Sequence, residues 1–137
     1  MSKSGENLLL DTSIVIASFK KIEPVLDVLE LAGRLVLPII AYGELLYGAE
    51  KSARPKFRRK ELSDLRNMIE VVVVDENTAE HYSTIRRQLE LVGKPIPAND
   101  LWIAATAIQH SLTLFTSDSH FESIEGLSLR KFEIIKM

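Results

Sequence analysis

The chain contains no cysteine, which excludes disulfide bonds, thiolate metal ligands and cysteine nucleophiles. The absence of cysteine fits a reducing compartment, and we expect a cytoplasmic protein. Long apolar runs are also missing: none approaches the length of a membrane span, and the amino-terminal stretch offers only the run LLL at 8–10, too short for the core of a signal peptide. We therefore expect no membrane association.

An excess of positive charge is absent as well. The chain carries 17 lysines and arginines against 19 aspartates and glutamates, a net charge of -2, so affinity for nucleic acid must come from a local patch. The chain is rich in apolar residues. Of its 137 residues, 46% are hydrophobic, which is enough to form one core. We expect a single domain over residues 1–137, with its core between about 7 and 135.

Strand-like and helical patterns alternate along the chain. Short apolar runs predict strands at 7–11, 34–37, 70–75, 112–117 and 128–135. Helical spacing, with proline in first turns and glycine at ends, predicts helices at 14–19, 23–33, 38–50, 54–68, 77–93 and 97–110. This alternation indicates an α/β layer fold with a mostly parallel sheet. The valine run at 71–74 predicts a strand covered on both faces, and the alternating last strand is typical of an edge.

Four acidic residues stand where such a fold gathers ligands. Asp11 ends the first predicted strand and Asp118 follows the fourth, and the carboxyl ends of parallel strands form the ligand crevice of an open α/β sheet. Glu44 has no basic residue three or four positions away on its helix. Asp100 leads an uncharged helical segment. Each acid also has a purely structural alternative: Asp100 or Asn99 caps a helix, and the others lie in turns or reach solvent.

If these acids converge, they require a compensating charge. Two unit charges about 4 Å apart repel by roughly 4 kcal/mol at an effective dielectric constant of about 20. Protons or a cation must neutralise them. A cluster of oxygen ligands without histidine or cysteine suits a hard ion, so we expect Mg²⁺, with Mn²⁺ as the alternative. Such an ion activates water and steadies charge on a phosphate, which points to phosphodiester hydrolysis.

Four segments resemble the motifs of PIN-domain ribonucleases, and they occur in that family's order. They are LLLDTS at 8–13, AYGELLYGA at 41–49, PANDLWIAATA at 97–107 and LFTSDSHF at 114–121. The similarity is strongest to the VapC-type toxins of toxin–antitoxin pairs. It implies a three-layer α/β/α PIN-like fold with a mostly parallel five-stranded sheet. It also implies an Mg²⁺-dependent endoribonuclease that hydrolyses RNA with a metal-activated water, forms homodimers and is silenced by a cognate antitoxin.

The resemblance further implies roles for individual residues of these motifs. The catalytic and metal-binding quartet would be Asp11, Glu44, Asp100 and Asp118, with Asp11 and Asp100 nearest to the ion. Four small polar residues beside the acids would orient ligands or bound water: Thr12, Ser13, Thr116 and Ser117.

One basic segment is a candidate RNA contact. Its cations are Lys51, Arg54, Lys56, Arg58, Arg59 and Lys60, with no acid among residues 51–60. A phosphate backbone is attracted to such a patch, although a solvated helix entry that maintains solubility is the alternative. The three histidines, His81, His110 and His120, are expected to have surface, capping or packing roles, with contact to phosphate as the alternative for His120.

Three other functions compete with the nuclease. A phosphoryl-accepting receiver domain would use Asp75 at the end of the valine strand, but receivers carry an acid pair where this chain has Asp11 alone. A haloacid-dehalogenase-like phosphatase would require a second aspartate at the position of Ser13. A non-catalytic RNA- or protein-binding module on the same fold would not require the four acids.

Overall fold

A computed structural model of the protein describes residues 5–133. Five strands follow in chain order: β1 (Asn7–Leu10), β2 (Arg34–Pro38), β3 (Glu70–Val72), β4 (Thr113–Thr116) and β5 (Leu129–Lys131). Six helices connect them: α1 (Thr12–Phe19), α2 (Glu23–Leu31), α3 (Ile39–Glu50), α4 (Pro55–Met68), α5 (Glu76–Leu91) and α6 (Ala98–Gln109). In the described part of the chain, no helix is both long enough and apolar enough to cross a membrane.

The five strands form one sheet in the order β3-β2-β1-β4-β5, and every pairing is parallel. β1 lies in the middle, and its leucines Leu8, Leu9 and Leu10 are buried because helices cover both faces of a parallel sheet. The register sets Leu10 beside Phe115, so β1 and β4 end at the same edge. The predicted three-layer α/β/α class with a parallel sheet is confirmed.

The prediction of a valine strand at 70–75 covered on both faces is wrong. β3 ends at Val72, is only half-buried and lies at the edge of the sheet, and Val73 is 61% exposed. The pairing register explains the early end: Val72 lies opposite Pro38, after which the neighbouring strand turns into α3. Val73 therefore has no strand partner there.

The last strand was predicted at an edge, and β5 does occupy one, beside β4. It is shorter than the predicted 128–135, spanning Leu129–Lys131. The predicted positions 134 and 135 lie outside the described residues.

Asp75 has a structural role at the start of α5. Its Oδ1 accepts hydrogen bonds from Thr78 N at 3.1 Å and from Gln109 Nε2 at 2.8 Å, and its own N–H donates to Thr78 Oγ1 at 3.0 Å. These bonds form a capping box and tie α5 to α6. They hold the pKa of Asp75 below its ordinary value. Asp75 follows an edge strand rather than a central one, which argues against the receiver alternative.

Candidate active site

The four acids that the sequence singled out line one open crevice of about 540 Å³. Asp11 directly follows β1 and Asp118 follows β4 by two positions, so the neighbouring strands deliver both to one edge of the sheet. Glu44 comes from the middle of α3 and Asp100 from the first turn of α6. The fold thus brings together residues that lie far apart in the chain, while their roles as metal ligands stay predictions.

Asp11 is the most buried of the four acids, with 6% of its surface exposed. Its Oδ2 accepts hydrogen bonds from Thr116 Oγ1 at 2.6 Å and from Ser13 Oγ at 3.0 Å. Its backbone N–H donates to the carbonyl of Phe115 at 3.1 Å, so the residue is fixed at both ends. Asp11 occupies the N-cap position of α1, but its side chain makes no capping hydrogen bond. The carboxylate is oriented toward the crevice rather than used by the helix.

Hydroxyl groups join the two strand ends around this carboxylate. Thr116 Oγ1 also accepts a hydrogen bond from the backbone N–H of Asp118 at 3.0 Å, and Ser117 N donates to Ser13 Oγ at 3.1 Å. Thr116 and Ser13 therefore orient Asp11 directly. Ser117 contributes through its backbone.

Replacing Thr116 by valine should destabilise the protein by about 1–3 kcal/mol, because it removes one of the two side-chain hydrogen bonds to the buried Asp11 carboxylate and the side-chain acceptor of the Asp118 N–H. Valine keeps the size and the β-branch, so packing is preserved. Urea denaturation measures the loss. Thr113→Val is the matched control, since the Thr113 hydroxyl meets only the Ser128 hydroxyl at an exposed position. Equal losses for the two variants would contradict a special role for Thr116.

Glu44 is held across the crevice by two side chains. Thr12 Oγ1 donates to Glu44 Oε1 at 3.1 Å, and Asn99 Nδ2 approaches Glu44 Oε2 at 3.4 Å. Asn99 does not cap α6: the N-cap position is Pro97, and no side chain caps that helix end. The capping alternative for Asn99 and Asp100 is therefore wrong. Both side chains face the crevice residues instead.

The surroundings of Asp100 disfavour the charged form of its carboxyl group. Its side chain is only 17% exposed, and this burial is the main cause that raises the pKa of Asp100. A hydrogen bond with His120 opposes the rise, while the negative charges of Asp11 and Asp118 add to it. The site's own side chains thus compensate its negative charge incompletely, as expected for a site that binds a cation.

His120 belongs to this site, a position that the sequence did not predict. It lies in a short 3-10 helix, Ser119–Ser123, just after Asp118. Its Nδ1 is 3.1 Å from Asp100 Oδ2 and 3.2 Å from Asp118 Oδ2, and its backbone N–H donates to Asp118 Oδ1 at 2.9 Å. The spacing of two residues from Asp118 was the one available signal. Packing or phosphate contact was expected, and contact with two carboxylates is found.

The donor atoms fit a divalent cation. One oxygen each from Asp100 and Asp118 and one ring nitrogen of His120 all lie within 4.8 Å of one another. Asp11 and Glu44 add carboxylates to the same crevice, and no lysine or arginine lines it among residues 5–133. Such a set of ligands can hold a metal ion, and the ion would supply the positive charge that balances these acids.

The basic segment at 51–60 is largely engaged with its own surroundings. Arg58 pairs with Glu61, Arg59 with Glu50 and Lys60 with Asp64, at 2.8, 3.0 and 2.6 Å. The ring of Phe57, 44% exposed, lies under the guanidinium groups of Arg54 and Arg58. The exposed ion pairs reduce the net positive charge of the segment.

The other two histidines lie outside the crevice. His81 lies on α5, and His110 directly follows α6 at its C-cap position. The Nε2 atom of His110 is buried and has no hydrogen-bond partner among residues 5–133. Neither histidine lines the acidic crevice.

The chain is similar to known proteins in both sequence and structure. The profile of the family described as "PIN domain" matches residues 8–127. Ribonuclease VapC5 of Mycobacterium tuberculosis is 30% identical over 139 residues, an alignment that covers 100% of both chains. Solved structures similar to this chain include VapBC2 from Rickettsia felis bound to a promoter DNA fragment. Another is VapBC-5 of Mycobacterium tuberculosis, from the VapBC family of toxin-antitoxin systems. The first has a TM-score of 0.86 at 27% identity, covering 92% of this chain and 98% of that one. The second has a TM-score of 0.74 at 26% identity, covering 95% and 99%.

Proposed function

The chain belongs to the PIN-domain family, and on this premise we propose that it is an Mg²⁺-dependent endoribonuclease and the toxin of a VapBC-type toxin–antitoxin pair. Its relatives' names support nuclease activity, and the VapBC structures support an antitoxin as partner. The proposed substrate is RNA, Mn²⁺ is the alternative cofactor, and the site of action is the cytoplasm.

The convergence of four carboxylates in one crevice is the observation that carries this proposal. Acids from β1, β4, α3 and α6 meet there, and burial and mutual repulsion raise the pKa of Asp100. A structural role does not require such an arrangement, because it places like charges together at a cost. A binding site for a hard cation accounts for it, because such ions take oxygen ligands and neutralise their charge.

The residues of the crevice would have different roles in binding the ion. Asp11, oriented by Thr116 and Ser13, and Asp100 would bind the ion, and Glu44 and Asp118 would complete the site directly or through water. The ion supplies Lewis-acid chemistry: it lowers the pKa of a bound water and steadies negative charge on a phosphate. Thr12 and Asn99 hold Glu44 in place, one at each carboxylate oxygen.

Contacts beyond the crevice complete the proposal. The basic segment Lys51–Lys60 would attract the phosphate backbone of RNA, with Lys51, Arg54 and Lys56 more available than the three cations that pair with carboxylates. Arg58 also lines a groove beside the crevice, together with Thr12 and Glu44. A homodimer is proposed by analogy with the family.

RNA cleavage with and without metal tests the proposal. A structured RNA pool incubated with the protein should be cut in millimolar Mg²⁺ and remain intact in EDTA, and added Mg²⁺ should restore cutting. Preparations of an active-site variant control for contaminating nuclease. RNA that is retained in a gel-shift assay but never cut, with either Mg²⁺ or Mn²⁺, would overturn the enzyme and favour the non-catalytic binding module.

A further inference from the structure

His120 contacts both carboxylates through one atom. Nδ1 faces Asp100 Oδ2 and Asp118 Oδ2 at nearly equal distances of 3.1 and 3.2 Å. The side chain is 51% exposed, so packing does not dictate this orientation. Instead, the backbone N–H of His120 binds Asp118 Oδ1, which turns the other oxygen of that carboxylate toward the ring. The cluster therefore joins three atoms: Nδ1 of His120 in the short 3-10 helix, an oxygen of Asp118 at the start of that helix, and an oxygen of Asp100 from α6.

The two distances from Nδ1 match the spacing of neighbouring ligands in a coordination sphere. Metal–ligand bonds of about 2.1 Å at right angles place neighbouring ligand atoms about 3.0 Å apart. Nδ1 lies at that distance from each carboxylate oxygen, and all three atoms fall within 4.8 Å of one another.

We infer that His120 is itself a metal ligand, binding the divalent ion through Nδ1 together with Asp100 and Asp118. This inference rests on the proposed function, because it concerns the same metal site. A nitrogen ligand has a chemical consequence: imidazole suits transition metals better than Mg²⁺, whereas carboxylates suit both Mg²⁺ and Mn²⁺. The site should accordingly favour Mn²⁺ over Mg²⁺ more strongly than a site built from carboxylates alone.

Pulsed electron paramagnetic resonance of bound Mn²⁺ tests the assignment without an activity measurement. The tag-free protein is loaded with less than one equivalent of Mn²⁺, and coupling of the ion to a directly bound ¹⁴N is recorded. We expect this coupling in the wild type and its loss in His120→Gln, whose side chain offers oxygen in place of ring nitrogen. Mn²⁺ affinity should fall about 10–100-fold in that variant, and Mg²⁺ affinity by less.

His81→Gln is the matched control, since it removes a histidine that does not line the crevice, and it should retain the nitrogen coupling. A wild-type spectrum without nitrogen coupling is decisive even if His120→Gln folds poorly, and a coupling that survives in His120→Gln would also overturn the assignment. Bound Mn²⁺ without nitrogen coupling would overturn the role of His120 and leave the nuclease proposal standing. Failure of the wild type to bind Mn²⁺ at all, together with no RNA cleavage, would overturn both.

Discussion

Replacing Asp100 by asparagine is expected to lower RNA cleavage about 1,000-fold while leaving the fold intact. Loss of a charged ligand removes several kcal/mol of transition-state stabilisation, and each 1.36 kcal/mol corresponds to a factor of ten in rate. Asparagine keeps the size of the side chain, and Asp100 does not cap α6. Single-turnover cleavage of one RNA at saturating Mg²⁺, with circular dichroism as the check of folding, measures the effect.

The same exchange elsewhere in the chain provides the control. Asp75→Asn also removes a hydrogen-bonded carboxylate, but at the N-cap of α5, where asparagine serves equally well. It should cleave RNA like the wild type. Comparable cleavage by wild type and Asp100→Asn would mean that another site, or a contaminant, performs the reaction.

Stability should respond in the opposite direction from activity. Because burial raises the pKa of Asp100, its charged form is less favourable in the folded protein than in the unfolded chain at neutral pH. Removing that charge is expected to leave the metal-free protein as stable as the wild type or more so, even though the hydrogen bond with His120 changes. Conserved stability with lost cleavage would distinguish a functional acid from a structural one.

The sequence was sufficient to find the acids because their positions follow from simple geometry. Asp11 and Asp118 each follow an apolar run, and in a parallel sheet those ends share an edge. Glu44 was conspicuous because no cation stands near it along its helix. Asp100 was conspicuous for leading an uncharged helix. None of these arguments required knowledge of how the side chains are packed.

What the sequence did not disclose depends on contacts between distant segments. The orientation of His120 is set by a 3-10 turn and by Asp100, which lies 20 positions earlier. The length of β3 is set by its pairing with β2, whose end at Pro38 leaves Val73 unpaired. Likewise, Arg59 of α4 pairs with Glu50 at the end of α3, a contact that depends on how the two helices pack. Local patterns carry no information about such pairings.

Replacing Phe115 by alanine is expected to destabilise the protein by about 3–5 kcal/mol, the usual range for a buried phenylalanine. Phe115 is 1% exposed and lies on β4 opposite Leu10 of the central strand β1. The strands at this point hold Asp11 in place, since the carbonyl of Phe115 accepts the Asp11 N–H. Because domains of this size are stable by roughly 5–15 kcal/mol, such a loss is a large part of the total.

Phe57→Ala is the control that shows whether burial, rather than the loss of a phenylalanine as such, causes the loss of stability in Phe115→Ala. Phe57 is 44% exposed and lies beneath arginine side chains, so its loss should cost about 1 kcal/mol or less. Urea denaturation of both variants gives the two values directly. Similar losses would mean that the sheet interior around β1 and β4 is not the main source of stability. A large difference would locate that source beneath the crevice, where the backbone of the same two strands fixes the position of Asp11.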